Sequence, residues 1–302
     1  MSLNIDFLKK KFGKNLIIKE DLSKYSWFNL GGPADIFFRP ENKDQLIKFL
    51  DIIKKNNYKT HILGAGSNTL IRDSGVKGVV IKLGSKFSNI ELLEKDTIEV
   101  GASTLDRKVS DFAKNNDIGG MEFLSCIPGS IGGAIIMNSG CYGADISEIL
   151  LSIKVIDDKG KEKEIKNDEI KFFYRGTDLP KNYIILSARL KGITSKKKLI
   201  EKKQEELIQR KKKSQPSQIK TGGSTFKNIN EKKAWMLIKE SGCDKLYVGD
   251  AKISEKHCNF FLNDGEAKTA DIEKLINKVR DKVKSKTGIR LDLEIKIIGN
   301  EK

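Results

Sequence analysis

No apolar run in this 302-residue chain exceeds a few residues, whereas a membrane-spanning helix needs roughly 20. The first ten residues also lack the apolar core of a signal peptide, because Lys9 to Lys11 follow a short mixed segment. A cytoplasmic protein without membrane insertion is therefore expected. Cysteine is sparse, at positions 126, 141, 243 and 258, with no CxxC spacing, and histidine is limited to His61 and His257. That argues against a structural zinc site and for reduced thiols, so no metal is expected. The GxxxxGK[ST] phosphate loop is missing as well, which sets aside P-loop nucleotidases. No internal repeat and no low-complexity segment interrupts the chain.

What is plentiful is lysine. With 57 basic against 41 acidic residues the net charge is +16. Such a balance raises the question of nucleic acid. The strongest basic block, residues 191–213, holds ten Lys and Arg against three Glu, with none of the interleaved aromatics that stacking platforms require. No nucleic-acid partner is expected, though a basic rival reading keeps that block as its footprint. The positive field still raises encounter rates with an anionic substrate.

The chain is organised around residues 126–143, CIPGSIGGAIIMNSGCYG. Pro128 and Gly129 suit a turn feeding a helix, with Ser130 near its N-cap and the helix running to Met137. A helix start behind a flexible glycine loop presents backbone N–H groups to phosphate, and Gly132 is expected to leave that phosphate its space. A second loop, Gly64-Ala65-Gly66-Ser67-Asn68, follows a strand-like lead-in. Thr69 stands where a dinucleotide fingerprint would need its third glycine. Two dissimilar loops point to one extended phosphate ligand held between two lobes.

In order, residues 3–12 read as a helix with Leu3, Phe7 and Leu8 on one face, and 44–56 as an amphipathic helix. Strands at 36–38, 59–63 and 78–83 complete a first β-α-β lobe. Beyond residue 85 come strands at 90–93 and 97–100, then a helix over 105–115. A hairpin at 150–156 and 161–165 turns at Asp157-Asp158-Lys159-Gly160, and a strand at 183–190 follows. The basic block reads as a solvated linker helix with a thin stripe of Leu199, Leu207 and Ile208. After Gln215-Pro216 the pattern gives a helix over 232–240. Thr269 reads as N-cap of a helix over 270–286, with Ile272, Leu275, Ile276 and Val279 inward, and 288–299 alternates as a last strand.

These motifs, LGAGSN, IPGSIGGA, MNSGCYG, the FYRGT around Arg175 and the GSTFKN around Ser224, resemble in content and order the UDP-N-acetylenolpyruvoylglucosamine reductase family. The resemblance runs from about Trp27 to the C-terminus. It implies an α+β chain: a two-lobed FAD-binding fold of the PCMH or vanillyl-alcohol-oxidase type, then an α+β substrate-binding domain. The expected boundaries are lobes at 1–84 and 85–192, a basic linker at 193–217 and a substrate domain at 218–302. The activity implied is NADPH-dependent reduction of a UDP-sugar enolpyruvyl ether through noncovalent FAD, by a monomer, in peptidoglycan precursor synthesis.

The chemistry such a reaction needs is a hydride, a cation for the substrate carboxylate and a proton for the neighbouring carbon. Arg175 matches the family's catalytic arginine, and a guanidinium forks onto a carboxylate without ever deprotonating. Ser224 matches the proton donor, and Glu294 the third catalytic residue. The resemblance assigns FAD contacts to Gly64, Ala65, Gly66, Ser67, Asn68, Pro128, Gly129, Ser130, Gly132, Gly133 and Asn138. It assigns substrate contacts to Lys213, Lys227, Asn228 and His257, the last of which also reads as structural. Three positions depart from the family pattern: Thr177 replaces a serine, Asp292 a glutamate and Cys126 a glycine. Cys126 keeps open a rival flavin oxidase of the same fold with tethered cofactor. The short step from Arg175 to Ser224 resembles the class without an inserted gating loop.

Overall fold

The computed structural model describes residues 4–157, 159–229 and 232–301. Leu3 of the first expected helix and Asp158 of the hairpin turn lie outside the described residues. The chain divides into two compact units, one of Met1–Ile18, Ile36–Ala65 and Gly78–Lys211, the other of Lys19–Asp35, Gly66–Lys77 and Lys212–Lys302.

A four-stranded sheet takes the order Leu16–Asp21, Pro33–Phe38, Val76–Ile81, Thr60–Ile62. Helix α1 (Ile5–Phe12) starts where the Asn4 side chain accepts from the Phe7 N–H at 2.9 Å. Its buried face is Leu8 and Phe12, while Phe7 is 49% exposed. The expected Phe7–Leu8 face is thus corrected to an i, i+4 stripe. The Phe12 ring meets the Phe38 and Phe49 rings edge-on, and those two stack 3.8 Å apart. Phe49 comes from α2 (Lys43–Lys55), capped by Asn42, and this aromatic trio anchors one core. Thr60–Ile62 then pairs parallel with Val79 to Ile81, the β-α-β pattern read from the sequence.

A second, antiparallel sheet has the order Glu162–Lys166, Leu150–Ile156, Ile184–Lys191, Thr97–Gly101, Ile90–Glu94. The expected hairpin is its edge pair. Helices α3 (Asp106–Asn115) and α4 (Ile131–Ile136) supply Val109, Ala113, Ile131 and Ile135 to its core.

The basic segment forms α5 (Lys197–Ser214) but is more than a solvated connector. Ile200 and Gln204, one turn apart, are 1% and 4% exposed, whereas Leu199 of the expected stripe is 61% exposed. The Gln204 amide donates to the Ser110 hydroxyl at 2.7 Å and to the Ser110 carbonyl at 3.1 Å, which fixes α5 against α3.

The second unit carries a four-stranded sheet, ordered Lys220–Ser224, Phe260–Asn263, Ala251–Ile253, Tyr247–Val248. Helices α6 (Ala234–Glu240) and α7 (Thr269–Thr287) share its core, with Ile272, Leu275, Ile276 and Val279 buried as their spacing requires. The expected N-cap is corrected: Lys268 occupies the cap position and Thr269 is the first helical residue. The Thr269 hydroxyl donates to the Ile71 carbonyl at 2.6 Å. Asp73, remote in sequence, accepts from the Thr269 and Ala270 N–H groups, so a carboxylate sits on the positive helix end. The last strand is also shorter than its alternation implied. Only Lys296–Ile298 is strand, parallel to Thr69–Ile71, and the buried apolar residues before it, Leu291 and Ile295, are four apart. Arg280 Nε holds the Leu291 carbonyl at 3.0 Å and bends this segment along α7. Among the described residues, no helix is long and apolar enough to cross a membrane.

Truncating Gln204 removes both bonds to Ser110 and leaves buried polar atoms unmatched, a change typically worth about 1–3 kcal/mol. Gln204→Ala is expected to lower the urea midpoint accordingly. Exposed Lys202→Ala, as control, shifts stability by less than about 0.5 kcal/mol.

Candidate active site

In the first unit the glycine loop at 128–133 meets Gly64. Ser130 takes extended backbone angles and α4 begins after it, as the sequence implies, although its hydroxyl makes no capping bond. The chain here is laid against residues 102–106 by its backbone. The Ile131 N–H donates to the Thr104 carbonyl at 3.0 Å, the Gly132 N–H to the Ala102 carbonyl at 2.9 Å, and the Asp106 N–H to the Gly129 carbonyl at 3.2 Å. A Cβ at Gly132 would meet Ala102 at 3.2 Å, so packing against residue 102 by itself asks for a small residue here. A Cβ at Gly133 would find only the Ser130 hydroxyl, 3.7 Å away, and one at Gly64 would lie 3.2 Å from that same hydroxyl. Gly64, Ser130 and Gly133 therefore border one small-residue cradle, flanked by half-buried Ala65 and exposed Pro128.

Two charged residues at this cradle escaped the sequence reading. The Lys82 ammonium donates to the Gly64 carbonyl, and burial, helped by the charge of Arg39, pulls its pKa down to about 8. Asp106 is fully buried with neither carboxylate oxygen hydrogen-bonded, and desolvation raises its pKa well above the ordinary range. A Cβ on Gly129 would come within 2.5 Å of Asp106 Oδ2. The only sequence signal for either is Lys82 itself, a charge ending the apolar run VVI.

Asn138, at φ +40°, is buried and directed at protein atoms. Its amide reaches Asp145 at 3.4 Å and the Phe173 carbonyl at 3.5 Å, and its oxygen accepts from the Ser147 N–H. Arg175, at φ +59°, donates to the Gly140 carbonyl at 3.0 Å and lies over the Tyr174 ring.

In the second unit the other predicted residues meet around one backbone crossing. Ser224 ends a bulged strand paired with Phe260. The Asn259 side chain grips the next turn from both sides, accepting from the Phe226 N–H at 3.0 Å and donating to the Phe226 carbonyl at 2.8 Å. The Glu294 N–H donates to the Thr225 carbonyl at 2.9 Å, and Lys227 N–H to the Asp292 carbonyl at 2.8 Å. Glu294 thus stands one backbone bond from the residue after Ser224. Asn68 joins the group, its amide on the Glu294 carbonyl at 3.1 Å, while Gly66 accepts from Trp27 N–H and Ser67 is half-buried between them. Asn228 Oδ1 accepts from the Ala234 N–H and so caps α6. His257 accepts the Asn259 N–H on Nδ1, packs on Phe260, and is kept neutral by burial. Lys213 is exposed. Asn259, which the sequence reading passed over, is the residue that fixes the Ser224 turn.

Similarity to known proteins agrees with this geometry. Residues 34–166 match the profile of an FAD binding domain, and residues 215–298 match that of the UDP-N-acetylenolpyruvoylglucosamine reductase C-terminal domain. Fold and site define a flavin-dependent oxidoreductase. A UDP-N-acetylenolpyruvoylglucosamine reductase from Pelagibacter ubique is 50% identical over 281 residues, covering 92% of this chain and 93% of that one. One from Gluconobacter oxydans is 40% identical over 100% of this chain and 98% of its own length. The crystal structure of UDP-N-acetylenolpyruvylglucosamine reductase from Thermus caldophilus superposes with a TM-score of 0.82 at 31% identity, covering 94% of this chain and 98% of that one. The chain belongs to the UDP-N-acetylenolpyruvoylglucosamine reductase family.

The residues present fit FAD: an open cradle of small residues beside the half-buried Lys82 ammonium suits a diphosphate, and burial pushes the Asp106 acid below it toward its neutral form. Gly133→Val, which fills the cradle, is expected to lower the flavin-to-protein absorbance ratio with an unchanged unfolding midpoint. Gly132→Val should instead lower that midpoint, because it collides with Ala102.

Proposed function

We propose that the chain reduces UDP-N-acetylenolpyruvoylglucosamine to UDP-N-acetylmuramate at the expense of NADPH, as a monomer in the cytoplasm, in peptidoglycan precursor synthesis. The observation that carries this reading is the half-identity to a relative of that name along nine-tenths of the chain. The clustering of Ser224, Glu294, Asn68 and Asn259 about one crossing supports it. The lobe, linker and substrate-domain boundaries read from the sequence belong to the same proposal.

Bound FAD supplies the hydride, drawn from NADPH. The chain's own residues do the rest. Arg175 binds the substrate carboxylate through its guanidinium fork and stabilises the charge that builds there. Ser224 delivers a proton from Oγ to the carbon beside that carboxylate, and Glu294 assists from the segment bonded to the Thr225 carbonyl. A lone hydroxyl is a weak acid, so Lys227, three residues on, supports its proton transfer electrostatically. Lys213, Asn228 and His257 contact the sugar nucleotide. Asn138 acts on the flavin side by holding residues 145–147 and 173 in place.

Ser224→Ala separates the two halves of the cycle. NADPH should bleach the flavin absorbance of the variant at the normal rate. Recovery of the yellow colour on adding the enolpyruvyl substrate should slow by about a hundred- to ten-thousand-fold, the usual effect of losing a positioned acid. Stopped-flow absorbance reads both steps. Slow bleaching with normal recovery would instead assign Ser224 to the NADPH site and overturn its role.

A further inference from the structure

The two cysteines that bracket the glycine-rich stretch meet as a pair. Cys126 ends the short helical turn Glu122–Cys126, and Cys141 lies in the small strand Gly140–Cys141. The Cys141 sulfur lies 3.5 Å from the Phe123 carbonyl, on the turn that ends at Cys126, and the two thiols are near enough to perturb each other's ionisation. The Ser125 hydroxyl sits 3.8 Å from the Cys126 sulfur. Lys211 brings its ammonium to the Cys126 carbonyl at 2.6 Å. The Cys141 thiol, Ser125 and this cation together favour the Cys126 thiolate, with the shared proton left on Cys141. Cys243 and Cys258 have no such arrangement, and burial raises both.

We infer that Cys126 and Cys141 form a peroxide-reactive dithiol, a modification site that closes reversibly into an intramolecular disulfide across residues 126–141. The oxidant is hydrogen peroxide. The Cys126 thiolate attacks one peroxide oxygen, the O–O bond breaks, and the departing hydroxide takes a proton and leaves as water. The Cys141 thiolate then attacks the Cys126 sulfenic sulfur. The S–OH bond breaks, and hydroxide leaves with the Cys141 proton as a second water. Two thiols and one peroxide thus give one disulfide and two waters. The inference is independent of the substrate assigned to the enzyme.

The test uses the reduced, FAD-loaded full-length protein, treated with hydrogen peroxide, denatured and alkylated with N-ethylmaleimide. Alkylatable thiols should fall from four to two and return to four after dithiothreitol. Both cysteines lie between Lys114 and Lys154 with no cleavage site for trypsin between them, so that peptide should lose two hydrogens. Cyanogen bromide cleavage at Met137 should leave its two fragments joined until reduction. Cys141→Ser should yield no disulfide and a dimedone adduct on Cys126, and Lys211→Met should slow the peroxide step several-fold at neutral pH. Four thiols surviving a dose that fully oxidises free glutathione would overturn the inference. So would a sulfinic acid at Cys126 with Cys141 still alkylatable, or a disulfide reaching Cys243 or Cys258.

Discussion

The first unit depends on how closely residues 129–132 lie against residues 102–106. Three backbone hydrogen bonds hold the two segments face to face, at Ala102, Thr104 and Asp106. That approach leaves a Cβ at Gly132 tight against Ala102, and one at Gly129 would collide with the Asp106 carboxyl. Everything near the cradle is placed from this seam. It sets where α3 and α4 begin, which way Ser130 faces, and where the chain emerges at Cys126. The backbone groups that a glycine loop is usually credited with offering to phosphate are, at Ile131 and Gly132, already engaged by the protein itself. The open part of the loop begins one residue later.

The second unit solves its positioning problem with a side chain. Asn259 is 3% exposed and matches both the donor and the acceptor of Phe226, so the turn after Ser224 cannot shift without leaving a buried amide unmatched. Glu294 is tied to the same crossing through its main-chain N–H, and Asn68 through its side-chain amide on the Glu294 carbonyl. A hydroxyl that must deliver a proton along one direction benefits from this kind of mounting, because a small misplacement costs much of the rate.

What could be read from the sequence was local. The glycine loops, the hairpin at 150–165 and the inward face of α7 follow from turn chemistry and periodicity alone, and each stands in the fold as its pattern implies. Several of the misreadings share one cause: tertiary partners from far along the chain. Asp73 caps α7 from nearly 200 residues away, which displaces Thr269 from the role its type favours. Gln204 is buried by Ser110, so a strongly charged helix carries a docked stripe that composition hides. Asn259 and Asp106 carry no motif, because what matters in each is the one backbone segment it touches.

Lys82 and Asp106 show how a single physical effect can set the charge of a phosphate cradle. Burial disfavours the ionised form of both groups, lowering the amine and raising the acid. The two shifts do not cancel. At neutral pH an amine with a pKa near 8 still carries most of its charge, whereas burial favours the neutral form of the acid, which has no hydrogen bond to hold a carboxylate. Desolvation thereby disfavours the local negative charge and leaves most of the positive one, held on the Gly64 carbonyl at the rim of the cradle. A diphosphate approaching Ser130 and Gly133 meets a field of the favourable sign although an aspartate lies directly beneath the loop. The same asymmetry explains why Asp106 can be placed there at all: ionised, it would be an uncompensated buried charge costing several kcal/mol, roughly, and protonated it is a compact polar filler under Gly129.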